Sequence, residues 1–174
     1  MQAQTTQTKQ RRTQQTMNDK LNIWFKRFLD FSLVVGILME VTVPIGLRKA
    51  VDITVATMGE TSEYAAIHEN FIFAVVSIML AGAFALLILY ELRKMMITVI
   101  NDDCFIQENV TSLYRMGNYA FAIALVKILR NFVYFTPAAL VTAGVFLFAG
   151  VLSKVLAKVF DKAVRYKEEN DLTI

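Results

Sequence analysis

Residues 71–90, FIFAVVSIMLAGAFALLILY, carry no charge, and this run constrains the chain more than any other feature. Coiled as an α-helix at about 1.5 Å per residue, twenty residues reach about 30 Å, the thickness of the hydrocarbon core of a bilayer. Three further apolar blocks, residues 28–47, 116–134 and 138–156, alternate with charged segments. The chain is 56% hydrophobic and 19% charged, whereas soluble domains sit near roughly half and a quarter. Backbone polar groups in lipid must be satisfied within the segment itself, which for runs of this length means helices. The pattern therefore predicts an all-α polytopic membrane protein with four transmembrane helices. Residues 1–20, rich in Gln and Thr, offer little that can pack and are expected to form a disordered cytoplasmic tail. Residues 21–174 form the membrane domain, closing in a cytoplasmic tail over 157–174. A start at Met17 would leave only MNDK before the first anchor.

The block at 116–134 is interrupted by Lys127 and Arg130, so charge asymmetry has to decide whether it crosses. With four crossings and a cytoplasmic N-terminus, 14 of the 18 Lys and Arg residues lie inside: six before residue 28, three in the central segment and five from Lys154 onward. Without that crossing the split falls to 11 against 7. Basic residues favour the cytoplasmic side, so both termini are placed inside, as in a bacterial cytoplasmic membrane. Trp24, Phe25, Lys26 and Arg27 form an aromatic and basic anchor ahead of the first span. The net charge of +3 follows from this topological use of cations, so direct nucleic-acid binding is not expected. Pro44 and Gly46 are expected to bend or end the first span, leaving residues 48–70 as an outer loop.

The sequence offers no chemistry of an enzyme. No nucleophile has a base beside it, no glycine-rich loop could cradle a phosphate, and no set of ligands has metal spacing. The single histidine, His68, and single cysteine, Cys104, leave neither a metal site nor an intrachain disulfide to build. No cofactor is expected. Two constellations remain. Glu40 lies inside the first span, where a charge costs at least about 2.5 kcal/mol and needs a partner, water or a proton. Counted from the outer ends of their spans, Glu40 and Lys127 share a depth, with Arg130 one turn further out, so a Glu40–Lys127 or Glu40–Arg130 pair is expected. It would be either structural or part of an ion or proton site. The second is the central segment 101–118, NDDCFIQENVTSLYRMGN. Asp103 is placed to cap a helix, and Ile106, Val110, Leu113, Tyr114 and Gly117 then fall on one face. This predicts a short amphipathic cytoplasmic helix between spans two and three. Ser77, Ala81 and Ala85 give span two a small-residue face that would let another helix approach closely.

Within that central segment, Phe105, Glu108, Asn109, Leu113 and Gly117 resemble a pattern of the small bacterial membrane proteins grouped as domain of unknown function 2975. Cys104 stands where that pattern has proline. The ending Glu168, Glu169, Asn170, Asp171, Leu172, Thr173 and Ile174, after Val159 and Phe160, is similar to the closing motif of the same family. The resemblance covers about residues 17–174. It implies a four-span protein without an established activity, in a family often encoded beside a very small helix-turn-helix transcription regulator. A membrane-tethered regulator that binds such a partner is the expected function. Phe105, Glu108, Asn109, Leu113, Gly117 and residues 168–174 would supply the cytoplasmic docking surface, unless the tail folds back on the central segment. The alternatives are a small transport, permeability or self-immunity protein, or an accessory subunit of a larger membrane complex. The expected partners are therefore the lipid bilayer and either that regulator or another membrane subunit, with a homo-oligomer also compatible.

In a Cys104-free background, cysteines at Thr61 and Asp171 are expected to react with a membrane-impermeant maleimide from opposite sides, Thr61 from outside. Labelling of both from outside would exclude four spans.

Overall fold

The computed structural model describes the backbone of residues 2–58, 67, 69–101 and 103–171, and the side chains of 20–57, 67, 69–101 and 103–170. Among these residues there are four helices and no strand: α1 (Gln2–Met58), α2 (Phe71–Ile100), α3 (Gln107–Val133) and α4 (Pro137–Asp171). Three stretches, Lys20–Thr57, Phe71–Ile100 and Pro137–Asn170, are long and apolar enough to cross a membrane. The third expected span, 116–134, falls within α3 and is not among them. Its interruption by Lys127 and Arg130 is the visible reason. Of the tail expected to be disordered at 1–20, residues 2–20 fall in α1; residue 1 and the side chains of 2–19 lie outside the described residues.

The helices form an up-and-down row. Among the described residues only consecutive helices touch: α1 with α2, α2 with α3, and α3 with α4. The connections explain this order. Residues 101–106 join α2 to α3 and residues 134–136 join α3 to α4, and links this short oblige neighbours to lie antiparallel. Pro137 opens α4 at a position where its missing N–H costs nothing. The outward surface is apolar. Phe31, Leu38, Val41 and Ile45 on α1, and Val141, Val145 and Phe148 on α4, are all more than half exposed. A surface of this kind is matched to lipid chains, not to water.

Several sequence expectations change here. Pro44 neither ends nor detaches the first helix; α1 runs through it to Met58, absorbing part of the expected outer loop. Proline removes one backbone donor, and a long apolar helix tolerates the loss where neighbours hold it straight. The short amphipathic helix and the third span are one continuous helix, α3. Asp103 does not cap it. The residue before the first turn is Ile106, in extended conformation and with no capping side chain.

Close approaches between helices occur where the residues are small. Ser77 and Ala81 of the small face foreseen on α2 are buried together with Ala74, while Ala85 is half-buried. Gly117 of α3 and Gly150 of α4 cross so tightly that a Cβ on either would lie 3.1 Å from the other's carbonyl oxygen. A Cβ on Gly150 would also sit 2.8 Å from the Phe121 ring. Ser153 supports the same crossing by donating to the Leu113 carbonyl oxygen at 2.7 Å. Gly144, by contrast, has nothing within 4 Å. Gly150→Leu is therefore expected to destabilise the fold by about 1–3 kcal/mol, while Gly144→Leu leaves it nearly unchanged. Thermal unfolding of the two variants in mild detergent checks the contrast.

Candidate functional site at the charged end of the helices

The ends of α1 and α3 that precede their apolar stretches, and the ends of α2 and α4 that follow theirs, meet in a polar cluster. Its buried carboxylate is Glu91, 3% exposed on α2. Ser112 of α3 donates to one Glu91 carboxylate oxygen at 2.8 Å, and Arg115 approaches the other at 3.3 Å. A buried carboxylate without such donors would be costly, so this contact fixes α3 against α2. Arg93 pairs with Asp30 and ties α1 into the cluster. Lys94 and Glu108 lie 3.6 Å apart on the rim.

Asn109, only 2% exposed, works one turn earlier. Its amide donates to the Cys104 carbonyl oxygen at 2.8 Å and to Thr98 Oγ1 at 2.7 Å. It therefore latches the connection between α2 and α3 to both helices. Cys104 lies ahead of α3 and contributes its carbonyl oxygen, not a first helical position.

The C-terminal half of α4 folds back over this connection. Lys167 donates to Asp103 at 2.8 Å, which is where the side chain expected to cap α3 is used. The Phe105 and Phe160 rings meet at 5.5 Å between centroids. The ion pair is half exposed at both ends and contributes at most about 1 kcal/mol. The ring contact adds roughly 0.5–1.5 kcal/mol beyond the area it buries. Lys154 lies across Gly117 and carries its ammonium over the Phe121 ring at 4.9 Å.

The expected docking residues thus divide. Asn109, Leu113 and Gly117 are buried and build the platform. Phe105 and Glu108 are exposed on it. Glu168, Glu169 and Asn170 are exposed on the last turn of α4, while the side chain of Asp171 and residues 172–174 lie outside the described residues. Glu91, Ser112 and Thr98 were not foreseen as partners. Glu91 directly follows the uncharged run, and nothing in the sequence reveals that α2 continues past it and turns it inward.

The expected intramembrane pair does not form. Glu40 faces Gly82 of α2, where the missing Cβ makes room for its carboxylate, and its buried Oε1 has no hydrogen-bond partner. Together with Phe84 against Tyr119, that contact puts Glu40 level with α3 some six residues, about 9 Å, short of Lys127. Helices α1 and α3 do not touch. Counting from span ends failed because α1 extends beyond its apolar block.

Three helices long and apolar enough to cross a membrane, with an apolar outward surface, point to a polytopic helical membrane protein. A family profile for a protein of unknown function, DUF2975, matches residues 53–174, and the chain belongs to that family. The match takes in α2, α3, α4 and the last turns of α1. Comparison with curated proteins and with solved structures gives no match.

Asn109→Ala is expected to cost about 1–3 kcal/mol, because it leaves the Cys104 carbonyl without its donor and the Thr98 hydroxyl with only its bond to the Met95 carbonyl. It should also speed maleimide labelling of Cys104 in the folded protein. An unchanged labelling rate would show that the latch does not hold the connection.

Proposed function

We propose that this is a four-span, non-enzymatic protein of a bacterial cytoplasmic membrane, with both ends in the cytoplasm, that presents a preformed surface to a small helix-turn-helix regulator. One observation carries the reading. The C-terminal part of α4 is helical well past its apolar stretch and is fastened to the α2–α3 connection through Lys167–Asp103 and Phe105–Phe160. A surface made of two such elements loses little freedom when a partner binds, which favours affinity. It exposes an apolar group, Phe105, and acidic groups, Glu108 on α3 and Glu168 on α4. A DNA-binding regulator is basic on its nucleic-acid face, so an acidic and apolar surface is suited to restrain it.

The antiparallel order of the helices supports the fourth crossing. Helix α4 runs parallel to α2, and α3 lies between them, so a chain whose α2 and α4 both cross in the same direction brings α3 back across. Lys127 and Arg130 then sit toward the outer end, where long cationic side chains reach polar surroundings. A transport or permeability role is the second reading, favoured by the unpartnered Glu40 carboxylate facing Gly82. The accessory-subunit reading draws less support, since Ser77 and Ala81 of its expected interface are buried inside the chain.

Removing residues 170–174 is expected to release a helix-turn-helix regulator encoded beside the gene from the membrane fraction to the soluble fraction. Membrane insertion and detergent stability of the shortened protein should stay nearly unchanged. Retention of the regulator by a stable truncated protein would exclude the tail as its contact. Fractionation followed by immunoblotting decides between these outcomes.

A further inference from the structure

At the opposite end of the helices, the turn between α3 and α4 concentrates hydrogen-bond donors that have no acceptor. Arg130 reaches the Thr136 hydroxyl through Nη2 at 2.7 Å and lies over the Tyr134 ring, 5.0 Å from its centroid. Its Nε is buried and unpartnered. Tyr134 is 5% exposed, and its buried hydroxyl also lacks a partner. Ser77 of α2 lies near that hydroxyl without reaching hydrogen-bond geometry, and its own proton goes to the Ala74 carbonyl oxygen at 2.9 Å. Lys127 stands one turn before Arg130 on the same helix. No carboxylate lies within ion-pair distance of either cation among the described residues.

Two like charges three residues apart repel, and in a poorly hydrated place the repulsion is only weakly screened. The C-terminus of α3 offsets part of it through the backbone dipole, which accounts for a cation in the last turn. It does not account for the donors. Buried donors are almost always paired, so two unpartnered ones beside two cations without a carboxylate are chemically suited to an anionic ligand. The start of α4 adds to the same polarity: Thr136 is fully buried, its N–H is held by Asn131 at 3.0 Å, and the first turn of α4 contains no acidic residue. By the register of the helices Arg130 is level with the first turn of α2, at the edge of the apolar layer, where phosphate groups lie.

We infer that Arg130, Lys127 and the Tyr134 hydroxyl bind a phosphate oxyanion at the α3–α4 turn, supplied by a lipid headgroup or by free phosphate. A guanidinium offers the planar pair of donors that phosphate oxygens accept, and the ammonium supplies charge without fixed geometry. The site is separate from the cytoplasmic surface proposed above, and neither depends on the other.

The test uses the full chain in an uncharged mild detergent. Thermal unfolding is followed by circular dichroism while phosphatidylglycerol or inorganic phosphate is added. A ligand that binds the folded state raises the midpoint, here by about 3 °C or more near saturation. A rise with phosphatidylglycerol alone assigns the site to a headgroup, and a rise with inorganic phosphate assigns it to the free ion. In either case Arg130→Gln should abolish the rise, and Tyr134→Phe should weaken the affinity by roughly 2- to 10-fold. Lys158→Gln, at the other end of α4, should leave the rise intact. Where Arg130→Gln does not fold, Tyr134→Phe and Lys127→Met carry the test, with bound lipid counted by native mass spectrometry. No rise with either probe, or a rise undiminished in the folded variants, overturns the inference.

Discussion

The crossing of Gly117 and Gly150 governs how the polar parts of the molecule meet. In lipid, apolar side chains gain little by exchanging lipid neighbours for protein ones, so helix association depends on close van der Waals contact and on hydrogen bonds. Two glycines back to back bring α3 and α4 near enough for Ser153 to reach a backbone carbonyl and for Lys154 to lie across the groove. With α4 held there, its continuation passes directly over the connection between α2 and α3. The Phe105–Phe160 and Asp103–Lys167 contacts then follow from geometry without needing much strength of their own.

The charged end has a division of labour that its composition conceals. Glu91 and Asn109 are polar but buried, and each is fully engaged with neighbours from other segments. They set the register of α3 against α2. The residues left for recognition are those on the rim, Phe105, Glu108 and the last turn of α4. A buried polar knot beneath a small exposed surface keeps that surface rigid, because loosening it would strand a carboxylate and an amide away from water.

The two ends of α3 are electrostatically different. At its start, the Glu91 carboxylate answers Arg115; at its finish, Lys127 and Arg130 have no acidic answer in the described chain. Charges near both ends also leave α3 as the one helix of the four without a stretch apolar enough to count as a span by composition. It carries its charges at its two ends and is flanked along its length by α2 and α4, so less of its surface has to match lipid.

By itself the sequence determined the class of protein. The uncharged run at 71–90 and the apolar block opening at Ala138 were legible because bilayer thickness sets a length that composition can meet or miss. The family was legible from the central and C-terminal stretches, and the profile match over residues 53–174 bears out the family. Tertiary structure decided which partners each charge found. Glu40 was assigned to Lys127 or Arg130 by counting along separate spans, but α1 continues through Pro44 and packs only on α2, so its carboxylate meets Gly82 instead. Asp103 had the right spacing for a cap and went to Lys167, 64 residues away, because the tight α3–α4 crossing delivers that lysine to it. Spacing along a chain reports only contacts within a helix or two. The charge pairs here depend on the register between helices, and that register is fixed by small residues whose neighbours no linear pattern reveals.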